Sequence, residues 1–350
     1  MIDLQTTFLT IIVPAYNMEK YIEKCLDSLE HQTLKAHKVI VVDDGSIDRT
    51  VEIIKTYVIR EPGIFSLIQK QNGGLGSARN EGLKYVDTKY VAFLDSDDWH
   101  STMFVEKIYK SINNQLHEPE VIVTVPTCYD DVSKYYYEWM DKHLVDEIFY
   151  GDNVVTNLKT DNRLNQLEVS MCRYVFLNEF IDQINMKFPE HTKWEDVLPR
   201  FIVFHNAQRC IAVKDIGFYY RTNRVGQITG IVDSGRIEII KVYKEGFKYA
   251  EENDFEIFEK GQLLDMMINF TYWTLEVISP VYREEYIRGI HEIVKELPIE
   301  LIKYYSEAIN SDRRRKIFLE TMRSEFRTKM YINQKMLSLC KKIYNRISKG

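Results

Sequence analysis

Five short apolar runs, the first four each cut off by a polar cluster and followed by a helical pattern, organise the first 125 residues. They are Phe8 to Val13, Val39 to Val42, Phe65 to Ile68, Tyr90 to Leu94 and Val121 to Val125. A strand with one wet face alternates apolar and polar residues, whereas a run with almost no alternation belongs to a strand buried on both faces. Between the runs the period changes. Tyr21, Ile22, Cys25, Leu26 and Leu29 line one face of a helix over 19–31, and further helices are expected over 49–57, 77–85 and 102–112. Ser46 and Asp48 are candidate caps for the second of these. This alternation predicts an α/β fold, a mostly parallel sheet flanked by helices.

Ligands on such sheets bind beyond the carboxyl ends of the strands. The unusual polar clusters fall at those ends: Pro14-Ala15-Tyr16-Asn17, Asp43-Asp44-Gly45-Ser46, Asn72-Gly73-Gly74 and Asp95-Ser96-Asp97-Asp98. Their convergence on one rim is the main functional expectation. The middle of the chain, 127–223, mixes turns, Tyr135-Tyr136-Tyr137 and a strand at Cys210 to Val213. From Ser234 onward the pattern is almost wholly helical. The expected division is therefore an α/β domain over 1–225 and a helical region over 226–350.

Composition narrows the class. A chain of 350 residues with 45% apolar and 28% charged side chains folds rather than staying disordered. No apolar run approaches the roughly 20 residues of a membrane span, and the N-terminus lacks a secretory pattern. Five cysteines without a C-x-x-C pair point to a reducing compartment, hence the cytoplasm. Net charge is −6, yet residues 312–350 hold 12 Lys/Arg against three Asp/Glu, which leaves the rest of the chain at −15. Within this tail Met336, Leu339, Ile343 and Ile347 share one helical face, with Lys335, Lys341, Lys342 and Arg346 mostly elsewhere. A basic amphipathic helix of this kind fits an anionic membrane surface at the inner face of the cell membrane. The competing reading docks the stripe on the domain or on a second subunit of a homo-oligomer. An acidic body with no reading module argues against nucleic acid.

The strongest chemical signal is Asp95-Ser96-Asp97-Asp98. Three carboxylates within four residues repel one another unless a cation joins them. A hard ion such as Mg²⁺ or Mn²⁺ suits one or two carboxylates plus phosphate oxygens. The bland alternative is a solvated acidic loop. Asp43 and Asp44 have the acceptors to hold a nucleobase imide or ribose hydroxyls, though a helix cap would use the same residue types. Asn72-Gly73-Gly74 allows close backbone approach, and Arg79 suits a phosphate; a tight strand-to-helix turn is the alternative. Aromatic faces at Trp99, Trp194, Tyr219 and Tyr220 suit sugar rings or a core equally. His205, on the apolar run Phe201-Ile202-Val203-Phe204-His205 read as a strand, is either a third metal ligand or a core histidine.

Taken in order, Pro14-Ala15-Tyr16-Asn17, Val41-Val42-Asp43-Asp44-Gly45-Ser46, Asn72-Gly73-Gly74, Ala78-Arg79-Asn80 and Phe93-Leu94-Asp95-Ser96-Asp97-Asp98 resemble the family 2 glycosyltransferases of GT-A, Rossmann-like fold. The resemblance covers about the first 100 residues. It implies inverting transfer from a nucleotide diphospho-sugar, usually a UDP-sugar, to a glycan acceptor often held on a lipid, in surface polysaccharide or capsule synthesis. It further implies Mn²⁺ or Mg²⁺ on Asp97 with Asp95, Asp43 or Asp44 against the base, and Asp95 against the ribose. Pro14, Ala15, Tyr16, Asn17, Asn72, Gly73, Gly74, Arg79 and Ser96 complete the donor site. Trp194-Glu195-Asp196 matches the family's base pair, with Asp196 as base and Glu195 raising its pKa or orienting it. Tyr219-Tyr220-Arg221-Thr222-Asn223-Arg224 resembles a basic segment that closes on the diphosphate, leaving Arg221 and Arg224 both open.

Two other classes compete. A sugar nucleotidyltransferase wants its glycine-rich loop near the N-terminus with Ser and Arg adjacent, whereas here Ala78 separates Ser77 from Arg79. A binding module without chemistry would show lost acids, and here they are present.

Overall fold

The computed structural model describes residues 7–35, 37–151, 154–224, 226–227, 233–309, 312–324, 327–329 and 331–332. The amphipathic tail stretch 335–347 lies outside them. The chain forms two compact units, Met1–Gly230 and Ile231–Gly350.

The first unit starts with β1 (Leu9–Ala15), α1 (Ile22–Glu30), β2 (His37–Asp43), α2 (Thr50–Arg60), β3 (Phe65–Gln69), α3 (Leu75–Leu83) and β4 (Tyr90–Phe93). It continues through β5 (Trp99–His100), α4 (Phe104–Asn113), β6 (Val121–Thr124), β7 (Thr127–Asp130), β8 (Tyr136–Glu138) and α5 (Lys142–Ile148). It closes with β9 (Tyr174–Leu177), α6 (Asn178–Gln183), α7 (Val197–Asn206), β10 (Cys210–Val213) and β11 (Phe218–Thr222). Seven strands form one sheet in the order β10-β6-β9-β4-β1-β2-β3. Strand β1 runs parallel to β2 and β4, β2 to β3 and β6 to β10, while β9 lies antiparallel between β4 and β6. Every residue of β1, β4 and β6 is buried, as covering both sheet faces requires.

A second sheet, order β5-β11-β7-β8, was not legible in the sequence. Its strands are two to five residues long and mix tyrosines with polar groups. A further correction concerns Phe201 to His205. This run is part of the helix α7, not a strand. Four apolar residues in a row fit a buried helix as well as a strand, and Phe201, Ile202, Val203 and Phe204 are all buried.

The second unit is helical: α8 (Ile239–Glu252), α9 (Ile257–Val277), α10 (Pro280–Glu296), α11 (Ile299–Tyr304) and α12 (Arg313–Met322). A capping box of Glu256 and Glu259 starts α9. Within the unit, buried Asp265 accepts from the Tyr305 hydroxyl at 2.9 Å and from Arg315 at 3.0 Å. Among the described residues, no helix is long and apolar enough to cross a membrane.

Candidate active site

The strand ends assemble the rim from short-range hydrogen bonds. The Asn17 amide donates to Ser46 Oγ and the Ile47 amide to Asn17 Oδ1, both at 2.9 Å, so the first two clusters are one structure. Asn17 takes φ +53°, a left-handed conformation that Asn tolerates. Asp48 Oδ1 accepts from the Thr50 amide at 3.0 Å, one residue ahead of the Arg49 cap position of α2, and Ser46 accepts from Asn17. Tyr16 is exposed at this loop, whereas Pro14 and Ala15 belong to β1. Asp43 accepts from the Ser46 amide at 3.1 Å. Asp44 accepts from the Gly73 and Gly74 amides, at 3.0 and 2.8 Å, and from Lys70 Nζ at 2.7 Å. Thus the glycine turn is tied to the second cluster, and Lys70, which the sequence reading missed, neutralises it.

The glycines then explain how α3 reaches the far side. Gly74 takes φ +88°, the left-handed region where a side chain is disfavoured. At Gly76 a Cβ would lie 2.2 Å from the Pro189 carbonyl oxygen and 3.1 Å from Glu195 Cβ. Only a glycine lets α3 press against the segment that leads into Glu195-Asp196.

One turn later comes Arg79, only 2% exposed. Its Nη2 donates to Asp95 Oδ1 at 2.9 Å and its Nη1 to Glu195 Oε1 at 3.0 Å. This corrects the expectation that Arg79 meets a phosphate: the guanidinium is buried and already holds two carboxylates. It couples the acidic turn after β4 to the pair at the start of α7, which lies 116 residues along the chain from Arg79.

The acidic turn is closed by the Asp98 amide donating to the Asp95 carbonyl at 2.9 Å. Ser96, Asp97 and Asp98 are buried. Strand β11 seals it from the other side. The Arg221 amide donates to Asp98 Oδ1 at 2.7 Å, and Arg224 Nε donates to Asp97 Oδ2. Burial pushes the Asp97 carboxyl up, with Arg224 opposing. Burial pushes Asp98 well up, reinforced by Asp97 and Asp95. Asp98 Oδ2 is buried without a hydrogen-bond partner. A crowded, desolvated, oxygen-only donor set suits a hard divalent cation. Another trio of ligand-type side chains, Asp27, Glu30 and His31, sits on and beside α1, with Glu30 paired to Arg60.

Glu195 is buried, and burial raises its carboxyl while Arg79 pulls the other way. Asp196, partly exposed at the N-terminal boundary of α7, is pushed up to about 8 by burial first and by Glu195 second. The Arg200 amide donates to the Asp196 carbonyl at 3.1 Å, so the helix start fixes its backbone. His205 is not gathered with these groups. It stands at the other end of α7, about 13 Å along the axis from Asp196 at 1.5 Å per residue, and stacks on Phe201. Trp99 packs flat on Tyr219 with centroids 5.3 Å apart and an 18° interplanar angle, so these aromatics are part of the second sheet.

This sheet order, with acids on the carboxyl rim and a glycine turn feeding a buried arginine, defines a GT-A domain. The family described as Glycosyl transferase family 2 matches residues 10–175. The match lies wholly within the first unit. Among curated relatives, the chain is 46% identical over 104 residues to the glycosyltransferase GlyA of Streptococcus pneumoniae, 30% of this chain and 15% of that protein. It is 32% identical over 223 residues to the uncharacterized glycosyltransferase EpsJ of Bacillus subtilis, 61% of each. The chain therefore spans less than two thirds of either relative. In three dimensions it is similar to Staphylococcus aureus TarS 1–349 in complex with UDP-GlcNAc, with TM-score 0.71, 20% identity and 92% of each chain covered. At that identity the likeness speaks for the fold.

Proposed function

We propose that this chain moves a sugar from a nucleotide diphospho-sugar, in the first instance a UDP-sugar, to a hydroxyl of a glycan acceptor, with inversion, in cell-surface polysaccharide synthesis. The observation that carries this reading is the buried Asp95–Arg79–Glu195 bridge, which ties an acid-rich nucleotide rim to Asp196. The base lies against the Pro14–Asn17 loop and the Asp43–Asp44 turn, and the ribose against Asp95. Asp97 and Asp95 hold Mn²⁺ or Mg²⁺, which when bound offsets the negative charge growing on the departing diphosphate.

Asp196 takes the proton from the acceptor hydroxyl as it attacks. Partial exposure gives the acceptor access, and the raised pKa makes the carboxylate a stronger base; a positioned general base is worth roughly 10²–10⁴-fold in rate. Glu195, clamped by Arg79, keeps that pKa high and fixes the geometry. One base facing the departing group gives inversion, as in inverting hydrolases. A lipid-held acceptor and contact of the basic tail with the inner leaflet complete the proposal.

The test is incubation with UDP-glucose, UDP-galactose, UDP-N-acetylglucosamine and UDP-N-acetylgalactosamine, each with Mn²⁺ or Mg²⁺. One donor binds by calorimetry and is slowly hydrolysed. Asp97→Ala loses metal-dependent binding, and Asp196→Asn binds the donor but loses transfer. No affinity for any of the four with either metal counts against the proposal.

A further inference from the structure

A second polar cluster, which the reaction above does not use, stands on the other side of β4 from the nucleotide rim. Thr124 ends β6, and Arg173 precedes β9, which runs the opposite way, so both lie at the carboxyl edge of the large sheet. Arg173 is fully buried; its Nη1 donates to Asp141 Oδ2 at 2.6 Å and its Nε to the Thr124 carbonyl at 3.3 Å. Its guanidinium carbon lies 5.8 Å from the Trp139 ring centroid. Asp141 Oδ2 also accepts from the Glu168 amide at 2.6 Å, which pins Glu168 to the cluster. Three polar atoms here are buried with no hydrogen-bond partner: Trp139 Nε1, Arg173 Nη2 and Asp141 Oδ1. Their side chains belong to residues only 9%, 0% and 6% exposed. Glu168 is half-buried, and among the described residues no side chain donates to its carboxylate.

The cluster is tied to the chemistry on both flanks. Arg200, whose amide donates to the Asp196 carbonyl, donates from Nη2 to the carbonyls of Leu164 and Leu167, at 2.7 and 2.8 Å. The helix that carries Asp196 and the segment that carries Glu168 are thereby held together. On the other flank the Trp139 ring meets Tyr220 edge-on at 5.1 Å, and the next residue, Arg221, holds Asp98 through its amide. Unpaired donors and an unpaired acceptor lying side by side are costly to bury. A hydroxyl both donates and accepts, so a polyol is the ligand that answers all of them and the Glu168 carboxylate as well. Burial, reinforced by Asp141, raises the Glu168 carboxyl against Arg173, Arg200 and the Val169 amide, and hydroxyl donors favour its charged form. Charge narrows the class further. Both arginines are fully buried, one on Asp141 and the other on backbone carbonyls and Asn165, so an arriving ligand meets the charge of Glu168 first. An anionic sugar is repelled there.

We infer that Trp139, Asp141, Glu168 and Arg173 form the acceptor subsite, and that it takes an uncharged pyranose, with hydroxyls on Glu168 and the unpaired trio and the ring against Tyr220. Glu168 is the residue that sets this specificity. The inference rests on the transfer reading above and deepens it by naming the class of acceptor and the residues that select it.

The full chain is titrated with methyl β-glucopyranoside, methyl β-galactopyranoside, methyl β-N-acetylglucosaminide and methyl β-glucuronide, with binding read by saturation-transfer NMR. UDP with Mn²⁺ is titrated separately by calorimetry. One or more of the three uncharged glycosides binds in the millimolar range, and the glucuronide binds about tenfold more weakly or not at all. Glu168→Gln, the same size without the charge, weakens the glycoside about 10- to 100-fold, as loss of a hydrogen bond to a charged group does, and Glu168→Ala weakens it at least as much. Both variants keep the backbone amide that Asp141 holds, so the fold survives, and unchanged UDP affinity in both separates a lost subsite from a lost fold. If both variants bind the glycoside as tightly as the wild type, the subsite is overturned and the donor reading stands. A wild type that binds none of the uncharged glycosides, or binds the glucuronide equally well, overturns it with no variant needed. A wild type that binds a glycoside through Glu168 yet ignores UDP overturns the donor reading and, with it, the acceptor role.

Discussion

Replacing Arg79 by Met tests how the site is held together. The side chain keeps an unbranched apolar stem but loses the guanidinium, which is 2% exposed and bonded to Glu195 at 3.0 Å and Asp95 at 2.9 Å. Glu195, 5% exposed, is left as a buried charge without its cation. Breaking a buried pair by removing one partner costs about 3–5 kcal/mol. Asp95 is 28% exposed and partly screened, so it adds about 1 kcal/mol at most. Taking about 4 kcal/mol in all, and 2–4 °C per kcal/mol for a domain of this size, Tm falls by about 8–16 °C near pH 8.

The loss depends on pH with a definite sign. Burial already raises Glu195, and without Arg79 it rises further above its unfolded value of 4.5. A carboxyl raised in the folded state contributes stability at acid pH and loses it as pH climbs through the folded value. The deficit of Arg79→Met is therefore largest at pH 8 and smallest at pH 5. Adding Glu195→Gln removes the stranded charge and restores much of the lost stability. Thermal unfolding of the three proteins at pH 5, 6.5 and 8 is the assay. A deficit under 2 °C at pH 8, or one that grows toward acid, would refute the claim that Arg79 exists to hold these carboxylates.

Three further outcomes follow from the same geometry. Gly76→Ala drives a methyl into the Pro189 carbonyl, costing about 1–3 kcal/mol in unfolding experiments and lowering transfer more than UDP affinity. With Asp196 pushed up to about 8 in the free protein, kcat/KM rises with pH from 6 and levels above that value, because only the ionised carboxylate accepts a proton; a flat profile from 6 to 9 would remove Asp196 as the base. Asp98→Asn, whose Oδ2 is buried and unpartnered, keeps the fold, because the Asn carbonyl oxygen still accepts from the Arg221 amide, and raises the unfolding temperature relative to wild type most at alkaline pH, where the native carboxyl pays for its charge.

Several parts of this protein were legible in its residues alone. Buried parallel strands read as unbroken apolar runs because both faces are covered, and β1 to β4 appear where those runs fall. The acids at their ends were equally readable, since carbonyl-end loops are where polar clusters in such a chain must go. Other parts had no local signal. Strand β9 takes its place between β4 and β6 only by reaching back across the sheet, and the short strands of the second sheet carry too few residues for a period to register. The tetrapeptide Phe201 to Phe204 satisfies helix and strand alike, and burial in α7 made the choice.

Residue chemistry by itself determined the inventory: which strand ends bear carboxylates, where glycines permit close approach, and which arginines are available to answer them. Tertiary structure decided the pairings. Arg79 looks like a phosphate ligand in sequence and becomes a buried strut because α3, freed of a side chain at Gly76, packs against the segment before Glu195. Arg221 and Arg224 cannot be told apart along the chain, yet one is anchored by three hydrogen bonds and the other sits on Asp97. The physical reason is that ionic partners are chosen by distance and desolvation, and both quantities exist only after strands far apart in sequence have been brought side by side.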